Sequence, residues 1–241
     1  MPISNVNLGQ NSATASTTNA ITTVANVGPG DLILVVVGYA NISDTLTGVT
    51  DSSGNTYVIL ENITGTGIGI GVAYSQNSLT MLTGGTITCT FAGAVNSQAR
   101  AVDIDGLLGG IQRIGALDTS NNSAQGLAAT AATNVATPAL QSAQEILIGI
   151  LATATGSGNV TPGGPWNAIG GNTANSPNCR LFADNNVNSR AAVSFAPTWV
   201  NVNNYVTEVL SFIGVAAWDW IPELSRPDTL ATAMVAQDAT L

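Results

Sequence analysis

From about Ala20 to Val215, short β-branched or aromatic stretches alternate with Gly, Asn, Asp, Ser and Pro at fairly regular intervals, and helical periodicity is hardly visible. Alternation of this kind, bounded by turn residues, is the mark of strands in a sandwich or barrel. The pattern predicts strands at Ile21–Val27, Leu32–Tyr39, Thr56–Leu60, Gly69–Ser75, Thr86–Phe91, Arg100–Ile104, Gln112–Leu117, Ile146–Thr153, Trp166–Ile169, Arg180–Ala183, Ala191–Phe195 and Val206–Ile213. The longest apolar runs, Leu32–Val37 and Ile146–Leu151, fall far short of the roughly 20 residues that span a bilayer and read as core strands. Asp51-Ser52-Ser53-Gly54-Asn55 supplies a turn, because Gly tolerates positive φ and Asp and Ser side chains bond nearby amides.

The order of events occurs twice. Gly30-Asp31 followed by Leu32–Val37 has its counterpart in Gln144-Glu145 followed by Ile146–Leu151. Val49-Thr50-Asp51 leads through a Gly turn to Tyr57, as Val160-Thr161-Pro162 leads to Trp166. Val72–Asn77 then matches Leu181–Asn186, Thr88–Ala92 matches Ala192–Ala196, and Arg100–Ile104 matches Tyr205–Val209, which sets Asp103 level with Glu208. The separation shortens from 114 (31 to 145) to 105 (103 to 208), as tighter loops in the second half require. Two copies are too few for a solenoid. They suit two half-sandwiches packed face to face, since a lone half of about five short strands has difficulty burying a core. Two tandem small sandwiches is the alternative.

The expected architecture is therefore all-β, an antiparallel, jelly-roll-like β-sandwich of two internally repeated halves with an extended C-terminal arm. The expected boundaries are an N-terminal arm at 1–19, the sandwich at 20–217 with half-repeats at about 30–107 and 144–214, and the C-terminal arm at 218–241. Asp118–Pro138, rich in Ala, Thr, Asn and Ser, reads as a surface crossover with one strand around Ala128–Val135.

Composition narrows the function. Hydrophobic residues make up 45% of the 241 and charged residues only 8%, the reverse of a disordered chain. Net charge is −9, from 14 acids against five bases, all of them Arg: Arg100, Arg113, Arg180, Arg190 and Arg226. Five scattered arginines in an acidic whole make no phosphate-neutralising stripe, so neither nucleic acid nor an anionic membrane surface is an expected partner. Met1–Asn5 has no basic segment or apolar stretch of a signal peptide, and synthesis in the cytoplasm is the expectation. Cys89 and Cys179 stand far apart in strand-like contexts, where buried free thiols are the favoured reading.

Histidine is absent, as is lysine. Ser-His-Asp and Cys-His catalysis, imidazole zinc sites and Schiff-base lysines are thereby excluded. Carboxylate chemistry remains, with Asp103 and Asp105 on one face of a strand as the best pair. The simpler expectation for them is solvated acids where the strand turns into Gly106. The oxygens of Asp51–Asn55 lack the spacing and closing Glu of a calcium loop and read as a plain turn. Trp166, Trp199, Trp218, Trp220 and Tyr74 could form a sugar-stacking platform, but core or interface packing is favoured. Trp218 and Trp220, at the junction of body and tail, suggest an anchor to a neighbour, with Ile221, Leu224 and Leu230 along the arm as its further contacts. No catalytic, cofactor-binding or metal-ligating residues are expected.

Gly30-Asp31-Leu32, Val49–Tyr57 and Asp103-Ile104-Asp105-Gly106-Leu107 together resemble a β-sandwich type found in tailed-phage particle proteins and bacterial surface proteins, over roughly residues 20 to 215. In character the chain is similar to phage capsid decoration, or cement, proteins, which are β-rich, poor in charge, often trimeric and equipped with terminal arms. The resemblance implies a non-enzymatic virion protein that binds the major capsid protein or other virion subunits as a homo-oligomer, with a trimer favoured. The second expectation is a carbohydrate-binding or adhesin-like module of a phage tail or cell surface. Scarcity of charge on sheet borders points to assembly as well, because isolated sandwiches guard their edges with Lys and other charges.

Overall fold

The computed structural model describes residues 4–76, 78–106, 122–132, 134–136, 145–170, 177–184 and 191–213, and the regular elements among them are all β-strands. The first sheet takes β1 (Ser4–Thr22), β2 (Leu32–Tyr39), β3 (Leu46–Asp51), β4 (Val58–Thr64), β5 (Gly69–Ser75) and β6 (Thr86–Asp105) in the order β1-β6-β2-β5-β4, with β3 also on β6. The chain continues through β7 (Asn122–Ala131), β8 (Val135–Ala136), β9 (Glu145–Thr153), β10 (Val160–Thr161), β11 (Asn167–Ile169), β12 (Asn178–Asp184), β13 (Ser194–Phe195) and β14 (Thr198–Ile213). The second sheet runs β10-β14-β9-β12-β11, with β7 also on β14, while β8 and β13 pair separately. Every pairing is antiparallel.

Each six-stranded sheet comes from one contiguous stretch of the chain, and the two have corresponding strand orders, with β8 and β13 set apart. β6 holds β1 on one edge and β2 and β3 on the other, just as β14 holds β7 on one edge and β9 and β10 on the other. The sheets face each other across an apolar layer that includes Leu34, Val36, Ile70 and Val102 from the first and Ile148, Ile150, Leu181 and Leu210 from the second. Each sheet also covers its other face. Ile33, Val35 and Val37 of β2 lie under Leu8, Ile21, Ile87 and Phe91, and Leu147 and Leu151 of β9 lie under Trp166, Phe195 and Trp199. That is why β2 and β9 are buried along their whole lengths and apolar without alternation.

The covering layer of the first sheet is made by its own long strands. β6 pairs with β2 through Ser97–Ile104 and with β3 through Ile87–Phe91, and β1 slips register against it between Ala13, Ser16 and Thr18, where β6 passes from one partner to the other. Bulges bend a strand, and here they turn its outer half back over β2. The sheets approach closely at Gly38. A Cβ there would lie 3.2 Å from the Cβ atoms of both Ala152 and Cys179, so a larger side chain would push the layers apart.

Several expectations are redrawn. Thr86–Phe91 and Arg100–Ile104 are one strand of 20 residues, and Leu46–Asp51 is a strand that alternation did not reveal. The segment read as an N-terminal arm is mostly β1, paired along β6. With Leu32–Val37 laid on Ile146–Leu151, Asp103 stands opposite Ile33 as Ser211 stands opposite Leu147, so Asp103 is level with Ser211 rather than Glu208. Glu208, opposite Ile150, is level with Arg100, opposite Val36. Likewise Cys89 and Trp199 hold equivalent pairings with Val49 and Val160, whereas Ser194-Phe195, expected to answer Thr88–Ala92, is diverted to β8. Gln112–Leu117 and the segment 218–241 lie outside the described residues.

Candidate functional site

The expected partner-binding residues Trp218, Trp220, Ile221, Leu224 and Leu230 lie outside the described residues. Within them, the ionisable groups gather at two places: the end of β6 and the middle of the inter-sheet layer.

At the end of β6, Asp103 and Asp105 are joined by Asp31, which sequence spacing had left apart. Asp31 precedes β2 and accepts the Gly28 N–H at 2.8 Å. Asp103 is buried at 5% exposure, so the expectation of a solvated strand end is corrected: by strand parity its side chain lies on the face of Ala99 and Ala101, opposite that of Val102 and Ile104. Burial, then the charges of Asp31 and Asp105, push its carboxyl up to about 7. Burial and then the Asp105 charge also raise Asp31. Among the described residues no group of three or more Cys, Asp or Glu is placed to hold a metal ion.

An acid raised by folding stabilises the fold below its ordinary range, near 3.8, and loses that contribution as pH climbs through 7. Asp51 works in the opposite sense. Burial would raise it, but bonds from Asn55, Tyr57 and Ser53 outweigh burial and hold it low, and its contribution fades as pH falls below the carboxylate range. Asp103→Asn is therefore expected to flatten the stability profile between pH 4 and 7 and to gain about 2 kcal/mol at pH 8, read by thermal melts across that range. A wild-type profile already flat over the window would contradict it.

The Asp51–Asn55 segment is a turn closed on itself. The Asp51 carboxylate accepts the Ser53 N–H at 2.9 Å, the Asn55 N–H at 3.1 Å, the Asn55 side-chain amide at 2.7 Å and the Tyr57 hydroxyl at 2.9 Å. Its oxygens are committed locally, as the plain-turn reading expected.

Trp166 and Trp199 are core. Trp166 and Trp199 are each 5% exposed, with their indole N–H groups donating to the carbonyls of Ser194 and Ala129, both at 2.9 Å. Trp166 stacks tilted on Phe195 at 4.8 Å and Trp199 meets Tyr205 edge-on at 5.2 Å. Tyr74 is half-buried against the inter-sheet layer. Neither indole offers a face for a sugar. Cys89 and Cys179 are free, buried thiols, pushed up by burial to about 12 and about 11.

Two buried charges bridge the sheets, and sequence reading did not single them out. Arg100 of β6 reaches across to β12, where its Nε–H donates to the Cys179 carbonyl at 2.5 Å, and to β11, where Nη1 donates to the Ile169 carbonyl at 3.4 Å. Gln98, two residues earlier, accepts the Cys179 N–H at 2.6 Å. Among the described residues β11 pairs with β12 only from Leu181 onward, and the two β6 side chains meet the Cys179 peptide. Glu208 of β14, fully buried, faces Glu61 of β4 from the other side of the layer. Burial first, then the Glu61 carboxyl, raises Glu208 well above the ordinary range. A signal was present in parity: Arg100 shares its face with Val102 and Ile104, and Glu208 with Val206, Leu210 and Phe212.

The sheet borders that no described strand covers form the remaining feature. β1 carries no charge in 19 residues and β7 none in ten. β1 is bulged against β6 at three places, which discourages a further strand; β7 slips register on β14 between Gly126, Ala129 and Ala131 but pairs without slippage from Asn122 to Gly126, and no described strand covers its outer edge. Beside it, Leu127 is 63% exposed, and Val200 and Val202 of β14 are 68% and 63% exposed. No protein-family model, no curated protein and no solved structure matches the chain.

Proposed function

We propose that this chain is a non-catalytic structural protein that works by assembly, a virion component of the capsid-decoration kind that binds the major capsid protein or its neighbours and associates with copies of itself, a trimer being favoured. The observation that carries the reading is the outer edge of β7, which no described strand covers: a ten-residue strand without a charge, regular from Asn122 to Gly126, with exposed Leu127 in it and exposed Val200 and Val202 on β14. Unpaired strand edges recruit another strand, and proteins that stay monomeric guard them with Lys, Pro or bulges. The burial of Trp166 and Trp199 removes two of the aromatic faces on which the carbohydrate-binding alternative would draw and so favours assembly over it. The two half-repeats expected from sequence find support in the shared strand order of the sheets.

Light scattering on the purified chain tests the proposal. The wild type is expected to elute as a multiple of 24.3 kDa, and Leu127→Lys with Thr130→Lys to elute as a monomer with unchanged circular dichroism. A wild type and a variant that are both monomers at every concentration would refute it.

A further inference from the structure

The first residues of β1 cross a buried acid. Ser4, Asn5, Val6 and Asn7 pair with Asp105, Ile104, Asp103 and Val102, and the register then slips between Asn7 and Gly9. Past the slip the strand is anchored. Leu8 is fully buried and its carbonyl accepts the Val24 N–H at 2.8 Å, while Gly9 has a φ of 136° and a Cβ there would come within 2.7 Å of the Thr22 carbonyl oxygen. Before the slip little is buried: Ser4 is exposed, and Val6 is 42% exposed. Segments with few buried apolar contacts open at low cost, so the bulge divides β1 into a four-residue end and a fixed body.

Under that end lies Asp103. Val6 on β1 and Ile33 on β2 stand directly opposite it, and opposite residues share a face. Its Oδ1 is buried and meets no donor among the described residues. The groups around it are acidic or neutral. Asp105 lies two residues on along β6, Asp31 ahead of β2 is hydrogen-bonded to Asp105, and both charges act on Asp103. β1 contributes Ser4 and Val6, β2 Ile33 and β5 Ser75, while Tyr57 of the covering layer gives its hydroxyl to Asp51. Arg100 extends from the other face of β6 to β12. Burial, then Asp31 and Asp105, push the Asp103 carboxyl up to about 7. Ionisation sets a third negative charge beside two others with no donor at Oδ1, and the edge strand is its thinnest cover.

We propose that Ser4–Asn7 is a pH-operated flap, docked on β6 while Asp103 is neutral and released about the Leu8–Gly9 bulge when Asp103 ionises. Release wets the carboxylate and bares the β6 edge from Val102 to Asp105. The flap belongs to the sheet that does not carry β7, so it stands or fails apart from assembly through that strand. A carboxyl at about 7 when docked and near 3.8 when wetted favours release by up to about tenfold for each pH unit between those values, and by no more above them.

Amide exchange from pH 4 to 8, each rate divided by that of an unstructured peptide at the same pH, provides the test. The amides that Asn5–Asn7 turn toward β6 are expected to lose protection at least tenfold between pH 4 and 7 and to level off above, while Ile21 and Thr22 at the far end of β1 and all of β2 keep theirs. Asp103→Asn is expected to hold the flap's protection constant. Asp105→Asn leaves Asp103 titrating with one charge fewer beside it, and is expected to make the loss smaller and complete at lower pH. That variant decides the matter if Asp103→Asn does not fold. Protection of Asn5–Asn7 that ignores pH in the wild type, a loss shared by β2 and the far end of β1, a loss that survives in Asp103→Asn, or an unaltered loss in Asp105→Asn would each overturn the proposal.

Discussion

Arg100→Ala is expected to lower the melting temperature by roughly 6–12 °C, the largest effect among single substitutions considered for this protein. Three losses combine. The Nε–H bond to Cys179 and the Nη1 bond to Ile169 disappear, and a hydrogen bond from a charged donor contributes about 1.5–3 kcal/mol. The Cys179 carbonyl is then left between the sheets with no side chain from β6 to meet it, and the space of a fully buried side chain is emptied. Together these amount to about 3 kcal/mol, and a chain of this size shifts by about 2–4 °C per kcal/mol. Arg100→Met, which keeps the stem and removes the head, separates packing from bonding and is expected to lie between Ala and wild type. If Ala and Met both melt within about a degree of wild type, the guanidinium does not tie the sheets.

Glu208→Gln is expected to act in the other direction. Folding raises the Glu208 carboxyl, so its contribution is complete below the ordinary Glu range and is lost as pH rises. At pH 9 the wild type either carries a charge within the apolar layer opposite Glu61 or holds a proton that it would have released when unfolded, and both are unfavourable. Glutamine removes the titration and keeps the shape. A gain of about 1–3 kcal/mol at pH 9, the usual cost of a buried polar group poorly satisfied, should vanish at pH 4, where both forms are neutral. Parallel melting curves for the two proteins from pH 4 to 9 would show that Glu208 is not the group that titrates.

Legibility in the sequence divided along physical lines. β2 and β5 were predicted residue for residue, because Leu32–Tyr39 and Gly69–Ser75 are apolar and framed by turns. β3 escaped because Thr47, Gly48 and Thr50 dilute its alternation, and its place on β6 depends on a long strand bending, which no local pattern encodes. The pairing of Asp103 with Glu208 rested on acids in register, yet hydrogen-bond pairing, not charge, sets register, and it places Arg100 opposite Val36 where Glu208 is opposite Ile150. Both residues had polar side chains at core parity, the one clue that separates a buried charge from a solvated one. Asp31 could not be joined to Asp103 from spacing, since only β2 lying beside β6 brings them together. Trp166 and Trp199 were legible as core aromatics.

Assembly through an open strand edge is most directly tested by residue-resolved amide exchange of β7 as protein concentration rises. The amides that point outward from Asn122 to Ala131 are predicted to become protected as the oligomer forms, with β9 and β2 slow throughout. Outward amides of β7 that exchange at one rate from dilute to concentrated solution, while the mass stays at 24.3 kDa, would contradict it.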